Sequence, residues 1–318
     1  MKTKKIDWSK YGIFIALVLL IVVFSLAEHA FLKVNNIFNI LRQVSIVGIC
    51  AVGMTLVILT GGMDLSVGSV IGVSSVSAAL MMSSGINPWI AVLVSIAIGA
   101  LVGFINAFFI NVVEIAPIIM TLGMMTMLRG VAYIISGGLP VYGIPKSYVF
   151  LGQGYITVFP VPVLIMLAVF AGGAFILNRT TFGRSVYGIG GNAEASRLSG
   201  INVKRVIYKI YIFAGMLYAL AGVILLARVN SGQPKAGDGY EMDVITACVL
   251  GGISVSGGEG NMSGVIIGVL MMGTLANGMI LMNLPEFWQW VVKGAVLILA
   301  VSIDKVAQKS KNRVKTLA

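Results

Sequence analysis

The chain has 318 residues, 58% of them hydrophobic and only 10% charged, with a mean hydropathy of +1.00. Soluble domains carry about 25% charged residues, so a soluble fold is excluded, and the continuous apolar runs exclude a barrel built of alternating strands. The net charge of +11 reads as positive charge gathered in cytoplasmic loops rather than as a surface for nucleic acid. The fold class is therefore all-α: a polytopic transmembrane helical bundle forming a single domain over 1–318.

Lys2, Lys4, Lys5 and Lys10 precede the first apolar run, Tyr11–Ala27. The run is longer than a signal-peptide core and no clean cleavage site follows, so it reads as an uncleaved first helix. Ten candidate helices follow in order: about 11–27, 37–60, 67–83, 88–110, 116–136, 157–178, 207–228, 243–254, 263–283 and 287–303. The eighth is too short to span alone, so about ten spans are expected, some of them broken or re-entrant. Cys50 and Cys248 lie in apolar runs with no metal or redox spacing and read as small core residues; His29 follows the first run, at an interface. Gly264-x-x-x-Gly268 and Gly273 read as tight helix packing.

Charges inside apolar segments are few. Glu114 sits near Asn111 at a predicted helix end, Arg129 lies inside the fifth span and Lys293 inside the tenth. A charge at mid-bilayer costs about 2.5–3.5 kcal/mol, so such residues face a cavity or a partner. The alternative is that the boundaries shift and these residues lie at interfaces.

The segment Arg179–Lys209 is a polar island holding six of the 22 basic residues against one acid, Glu194. With the N-terminus inside, fifteen of the 22 basic residues fall on the cytoplasmic side: the N-terminal four, these six, and Lys305, Lys309, Lys311, Arg313 and Lys315. That asymmetry places both termini in the cytoplasm and makes the island, at about 179–206, a cytoplasmic loop.

Two segments look interrupted, Leu59–Gly68 and Leu250–Gly264. Each has a glycine pair, and Asp64 and Ser66 are suitable N-cap residues for the helix near Val67. These are either ordinary capped loops or broken helices around a pathway. In the second reading Gly61, Gly62, Asp64, Ser66, Gly251, Gly252, Ser254 and Arg129 are the pathway or gate candidates. Both breaks fall on the cytoplasmic side, so a simple inverted repeat does not follow.

The chain has no Gly-x-x-x-x-Gly-Lys-Ser/Thr loop and no catalytic or metal motif. Gly188-x-Gly190 and Gly258-x-Gly260 are best read as loop glycines. Uphill transport would thus draw on a partner or an ion gradient, the latter resting on Asp64, Glu114 and Arg129 alone.

Asn192-Ala-Glu-Ala-Ser-Arg-Leu-Ser-Gly200 resembles the cytoplasmic Glu-Ala-Ala…Gly loop of ABC importer permeases, with Ser196 in place of the third alanine. Gly61-Gly-Met-Asp-Leu-Ser-Val-Gly68 resembles the Gly-Gly-Ile-Asp-Leu-Ser-Val-Gly signature of the ribose-type branch, as do Gly232-Gln-Pro, Gly239-Tyr-Glu and the Leu250–Gly260 segment. The likeness runs from about Asn36 to Asp304 and sets the chain apart from branched-chain amino-acid permeases of the same superfamily. It implies a multi-pass subunit of the bacterial inner membrane that carries a monosaccharide such as ribose and is not itself an enzyme. It further implies a second permease copy, identical or a close paralogue, and an extracytoplasmic sugar-binding protein. A cytoplasmic ABC ATPase would bind the ATP, with no cofactor in this chain. Asn192, Glu194, Ala195, Ser196, Arg197 and Gly200 would form the ATPase-coupling site, with Ala195, Ser196 and Gly200 permitting close helix approach. Another sugar, a furanose signalling molecule or a branched-chain amino acid fits the same residues. An ion-coupled secondary carrier is the alternative from another class.

Overall fold

The computed structural model describes the backbone of residues 8–316 and the side-chain surroundings of 12–305. Lys2, Lys4 and Lys5 lie outside the described residues, as do the side chains of Lys10, Lys309, Lys311, Arg313 and Lys315. The elements in order are α1 (Trp8–Ala27), α2 (Val34–Leu59), α3 (Val67–Ser83), α4 (Pro88–Asn111), α5 (Pro117–Ser136) and α6 (Lys146–Gln153). A minimal antiparallel hairpin, β1 (Tyr155–Ile156) and β2 (Phe159–Pro160), pairs Tyr155 with Pro160 and Ile156 with Phe159. Then come α7 (Val161–Arg179), α8 (Thr181–Gly191), α9 (Ala193–Leu198), α10 (Val203–Val229), α11 (Tyr240–Leu250), α12 (Met262–Leu281) and α13 (Glu286–Thr316).

Each of the ten expected segments falls on a helix. Among the described residues, seven helices are long and apolar enough to cross a bilayer: α2, α4, α5, α7, α10, α12 and the Glu286–Lys305 part of α13. The part of α1 whose side chains are described, Gly12–Ala27, is also apolar, and the 17-residue α3 is a shorter apolar helix. The 11 residues of α11 rise only about 16 Å, so it is the partial helix anticipated for the eighth segment.

Local chemistry sets several ends. Pro88 and Pro117 open α4 and α5, where a missing N–H is no loss, and the Asn87 side chain accepts from Trp89 N at 2.9 Å. The hairpin delays α7 to Val161 rather than 157. α11 runs 240–250 rather than 243–254, because Gly252 at φ +82° turns the chain. α6 was not anticipated; its Tyr148 is buried and donates its hydroxyl to the Val223 carbonyl of α10.

α2 and α10 form the centre, 83% and 78% buried over their apolar windows, whereas α5 and α13 are 22% and 6% buried and lie outside. Cys50 and Cys248 are free thiols in this core. The packing occurs twice over. α3 packs on α4 and α5 as α11 packs on α12 and α13, while α10 packs on α4 as α2 packs on α12. In this pattern the partner of the 60–66 break is the non-helical stretch 230–239 before α11, not 251–261. That stretch runs antiparallel to α3, with Gly232 against Ser75–Ala79, Pro234 against Gly72 and Gly237 against Gly68. The starts of α3 and α11 therefore meet inside the bundle. The two breaks at one end are therefore not each other's counterparts in this pattern, consistent with no simple inverted repeat following from them.

Glycine makes the closest helix contacts possible. A Cβ at Gly99 or Gly103 of α4 would overlap backbone of α10, one at Gly268 of α12 would overlap backbone of α11, and one at Gly264 would overlap Gly251 just beyond it. The 264/268 spacing thus serves packing within the chain. At one end of the bundle Asn36 and Asn277 exchange amide hydrogen bonds of 2.9 and 3.0 Å, tying α2 to α12.

Candidate functional site

The opposite end gathers both interruptions and the polar island. Gly258 N donates to the Leu59 carbonyl at 2.9 Å, so the 251–261 break hydrogen-bonds the end of α2. Gly190, next to last in α8, fits between them, and any Cβ there would overlap Leu59 O and the Gly258 amide. A Cβ on Gly257 would lie 2.8 Å from Gly61 N and 3.2 Å from Gly190 Cα. Tyr187 of α8 donates its hydroxyl to the Gly260 carbonyl at 2.9 Å, and Lys305 of α13 donates to Ser256 Oγ at 2.9 Å. Three backbones therefore touch without intervening side chains. Gly190 and Gly258, both read from sequence as loop glycines, meet here, but Gly188 and Gly190 lie in α8 rather than in a loop.

Between α7 and α10 the island folds into two short helices, α8 and α9. Thr180 accepts from Gly183 N at 3.1 Å and caps α8; Asn192 accepts from Ala195 N at 2.9 Å and caps α9. Gly200 closes α9. Its N–H bonds the Arg197 carbonyl and Ile201 N–H bonds the Ser196 carbonyl, both at 3.0 Å, with Gly200 at φ +86°. This is the Schellman arrangement, in which glycine supplies a left-handed residue at no steric cost. Nothing in this chain lies within 4 Å of a Cβ on Gly200, so within the chain its role is the left-handed turn. Ser196 is buried against Gly188, with its Oγ 3.1 Å from a Cβ built there, whereas Ala195 is exposed.

Glu194 and Arg197 face solvent and form an (i, i+3) ion pair, with Arg197 Nε donating to Oε2 at 3.0 Å and Nη2 to Oε1. The hydrogen bond from Arg197 holds the Glu194 carboxyl below the ordinary glutamate range. Leu198, beside the pair, is 77% exposed. An anchor of charge and leucine on one short helix is a surface suited to a partner.

Asp64 and Ser66 are buried deeper. Asp64 Oδ1 accepts from Ser66 N at 2.9 Å and from Ser66 Oγ at 2.6 Å, and Asn106 of α4 donates to Ser66 Oγ at 3.2 Å. Ser66 occupies the cap position of α3 without a side-chain cap bond, so Asp64 does the capping from two residues upstream. Thr121 of α5 donates to Met63 O at 3.2 Å and accepts from Leu65 N at 3.1 Å. The break is thereby tied to α4 and α5. Gly62 faces the Tyr211 hydroxyl, 2.9 Å from where a Cβ would sit. Gly251 lies against the backbone of Val265 in α12, Gly252 makes the turn, and Ser254 is buried just beyond.

Arg129 is set apart from these. Its Nε lies 2.9 Å from Asp238 Oδ1, in a geometry that makes the contact ionic rather than a linear hydrogen bond, and Nη2 lies 3.6 Å from Glu241 Oε1. Lys293 of α13 pairs with Asp243 at 2.8 Å. Both basic residues lie within their helices, and each pairs with an acid at or just before the start of α11. Glu114 sits in the turn between α4 and α5 at φ +61°. Sequence reading missed Asp238, Glu241 and Asp243, although three acids within six residues, in a chain with only 11, are a visible signal.

Residues 36–301 match the family described as branched-chain amino acid transport system / permease component. The ribose import permease of Bacillus subtilis (strain 168) is 46% identical over 298 residues, covering 93% of this chain and 92% of that protein. The ribose import permease of Escherichia coli (strain K12) is 42% identical, covering 92% and 93%. The L-arabinose transport system permease of the same strain is 38% identical over 307 residues, covering 96% and 94%. No solved structure matches the chain.

Proposed function

The chain belongs to the branched-chain amino acid transport system / permease component family, and on that premise we propose that it carries a monosaccharide, with ribose the first candidate. It is a multi-pass bacterial inner-membrane permease subunit of a sugar ABC importer, not an enzyme. The relatives at 42–46% identity are ribose permeases and the one at 38% an arabinose permease, which favours a sugar over a branched-chain amino acid. In this reading the end that carries α8 and α9 is cytoplasmic, both termini lie on that side, and the ten apolar helices cross or enter the bilayer. A second permease copy completes the pathway, and a sugar-binding protein delivers the substrate.

The observation that carries the mechanism is the bare-backbone contact of α8 with both breaks. A separate ATPase binds the ATP and docks on Asn192–Gly200, gripping the Glu194–Arg197 pair and Leu198. Motion of α9 passes through α8 to Gly61 and Gly257–Gly258, because backbones in contact cannot absorb a displacement by changing rotamer. The bundle is then biased between inward-facing and outward-facing states by ATP binding in the partner. Gly61, Gly62, Asp64 and Ser66, with Gly251, Gly252 and Ser254, form the cytoplasmic gate region, and Arg129 faces the pathway.

Reconstitution in proteoliposomes tests this. Ribose accumulation is expected only with the ATPase, the binding protein and ATP present. Accumulation by this chain alone on an ion gradient would overturn the importer reading. For the docking site, Glu194→Ala should uncouple ATP hydrolysis from uptake while the protein still inserts; wild-type uptake by that variant would remove Glu194 from the role.

A further inference from the structure

Glu241 begins α11 about 14 Å from the Gly251 end, near half the depth of a hydrocarbon core of about 30 Å. Beside it stand Arg129 and Asp238, whereas the Lys293–Asp243 pair, two residues further on, lies on another face of α11. The side chains of Arg129 and Asp238 are 32% and 34% exposed. Charges exposed to lipid at this depth are strongly disfavoured, so this face of α5 and α11 meets water or protein.

The cluster also has unspent hydrogen-bonding capacity of both kinds. A guanidinium carries five N–H donors, and Arg129 directs Nε and Nη2 at its two carboxylates. Glu241 is 8% exposed, and its Oε2, set against Gly68, has no hydrogen-bond partner among the described residues. Buried acceptors of this kind are stable only if something bonds to them. Adjacent hydroxyls of a sugar are each donor and acceptor, and they complement a carboxylate and a guanidinium held side by side. Asp238 and Glu241 against Arg129 leave a net negative charge, which disfavours anions.

We propose that Arg129, Asp238 and Glu241 form an intramembrane contact site for the hydroxyl groups of a neutral monosaccharide in transit. This rests on the importer reading above. Asp238 and Arg129 reach the solute from the exposed side, and Glu241 receives a hydroxyl from within. The re-entrant stretch 230–239 places Asp238 by running back along α3 to Gly68.

The test uses the complete reconstituted importer with labelled ribose. Asp238→Asn and Arg129→Gln should each lower ribose uptake about tenfold or more, the loss of one hydrogen bond to a charged group, with ATP hydrolysis stimulated by the binding protein retained. The exchange Arg129→Asp with Asp238→Arg preserves an ion pair but misplaces donor and acceptor, so uptake should stay low. Wild-type uptake by that exchange would show a purely structural tie and overturn the proposal. An independent measurement does not depend on those variants folding well: Asp238→Cys should react with a membrane-impermeant thiol reagent, more slowly when ribose saturates the system. Failure to label, or labelling indifferent to ribose, would also overturn it. If the unaltered complex shows no ATP-dependent ribose uptake, the importer reading itself fails, which is a separable result.

Discussion

Gly257→Ala is expected to destabilise the protein and uncouple it, and Gly200→Ala is its internal control. Both glycines adopt left-handed backbone, with φ +82° and +86°. A side chain there costs about 1–2 kcal/mol in either place. The surroundings differ. At Gly200 nothing lies within 4 Å of the new methyl. At Gly257 the methyl would stand 2.8 Å from Gly61 N, 3.1 Å from Gly61 Cα and 3.2 Å from Gly190 Cα, all of it backbone. Ordinary contact begins near 3.4 Å, so the break or α8 must withdraw by about 0.6 Å, an overpacking cost of about 1–3 kcal/mol. Gly257→Ala should therefore cost about 2–5 kcal/mol in all and Gly200→Ala about 1–2 kcal/mol. Unfolding of the detergent-solubilised variants gives the stability difference, and ATP-driven uptake gives the coupling. Gly257→Ala should lose uptake well beyond its loss of stability, because the displaced contact is the one joining α8 to both breaks. Equal destabilisation by the two substitutions, with equal uptake, would refute the bare-backbone linkage.

Three further outcomes follow from single contacts. Asn277→Ala should cost about 1–3 kcal/mol by leaving Asn36 unpaired in the core, whereas replacing both amides with leucine should recover most of it; denaturation of the single and double variants checks this. Lys293→Met should destabilise by about 3–5 kcal/mol because Asp243 is left half-buried and unpaired, and adding Asp243→Leu should restore much of the loss. Arg197→Ala should raise the Glu194 pKa toward the ordinary glutamate value, visible in a carboxyl titration by NMR. The native Glu194 carboxyl is lowered, so its pairing with Arg197 is present above the ordinary pKa and fades as pH falls through the native one. An unchanged Glu194 titration in the variant would show that Arg197 is not the cause.

Much of this was legible in the chain and some was not. The ten apolar runs each became a helix because lipid-facing backbone must bond within its own segment, and apolar length alone reports that. The island was visible as polar, but its helices were not, since α8 and α9 are short and depend on the caps Thr180 and Asn192 rather than on periodicity. Gly200 was identified by spacing, yet its reason, a left-handed cap, came from backbone angles. Arg129 and Lys293 were flagged, but their partners could not be, because 238–243 lies over 100 residues from Arg129 and 50 from Lys293 in sequence.

Composition, charge asymmetry and motif spacing by themselves determined the class of molecule, the polar segment open to a partner and the absence of a nucleotide-binding loop in this chain. Those properties are local, written in each residue's solubility and in short runs of neighbours. Only the tertiary structure decided that Gly190, Gly257 and Gly61 touch, that the 230–239 stretch rather than 251–261 mirrors the first break, and that three acids gather around Arg129 and Lys293. These are contacts between distant segments, made possible where glycine removes the side chain that would hold two backbones apart, and where a buried charge has no stable place except beside an opposite one.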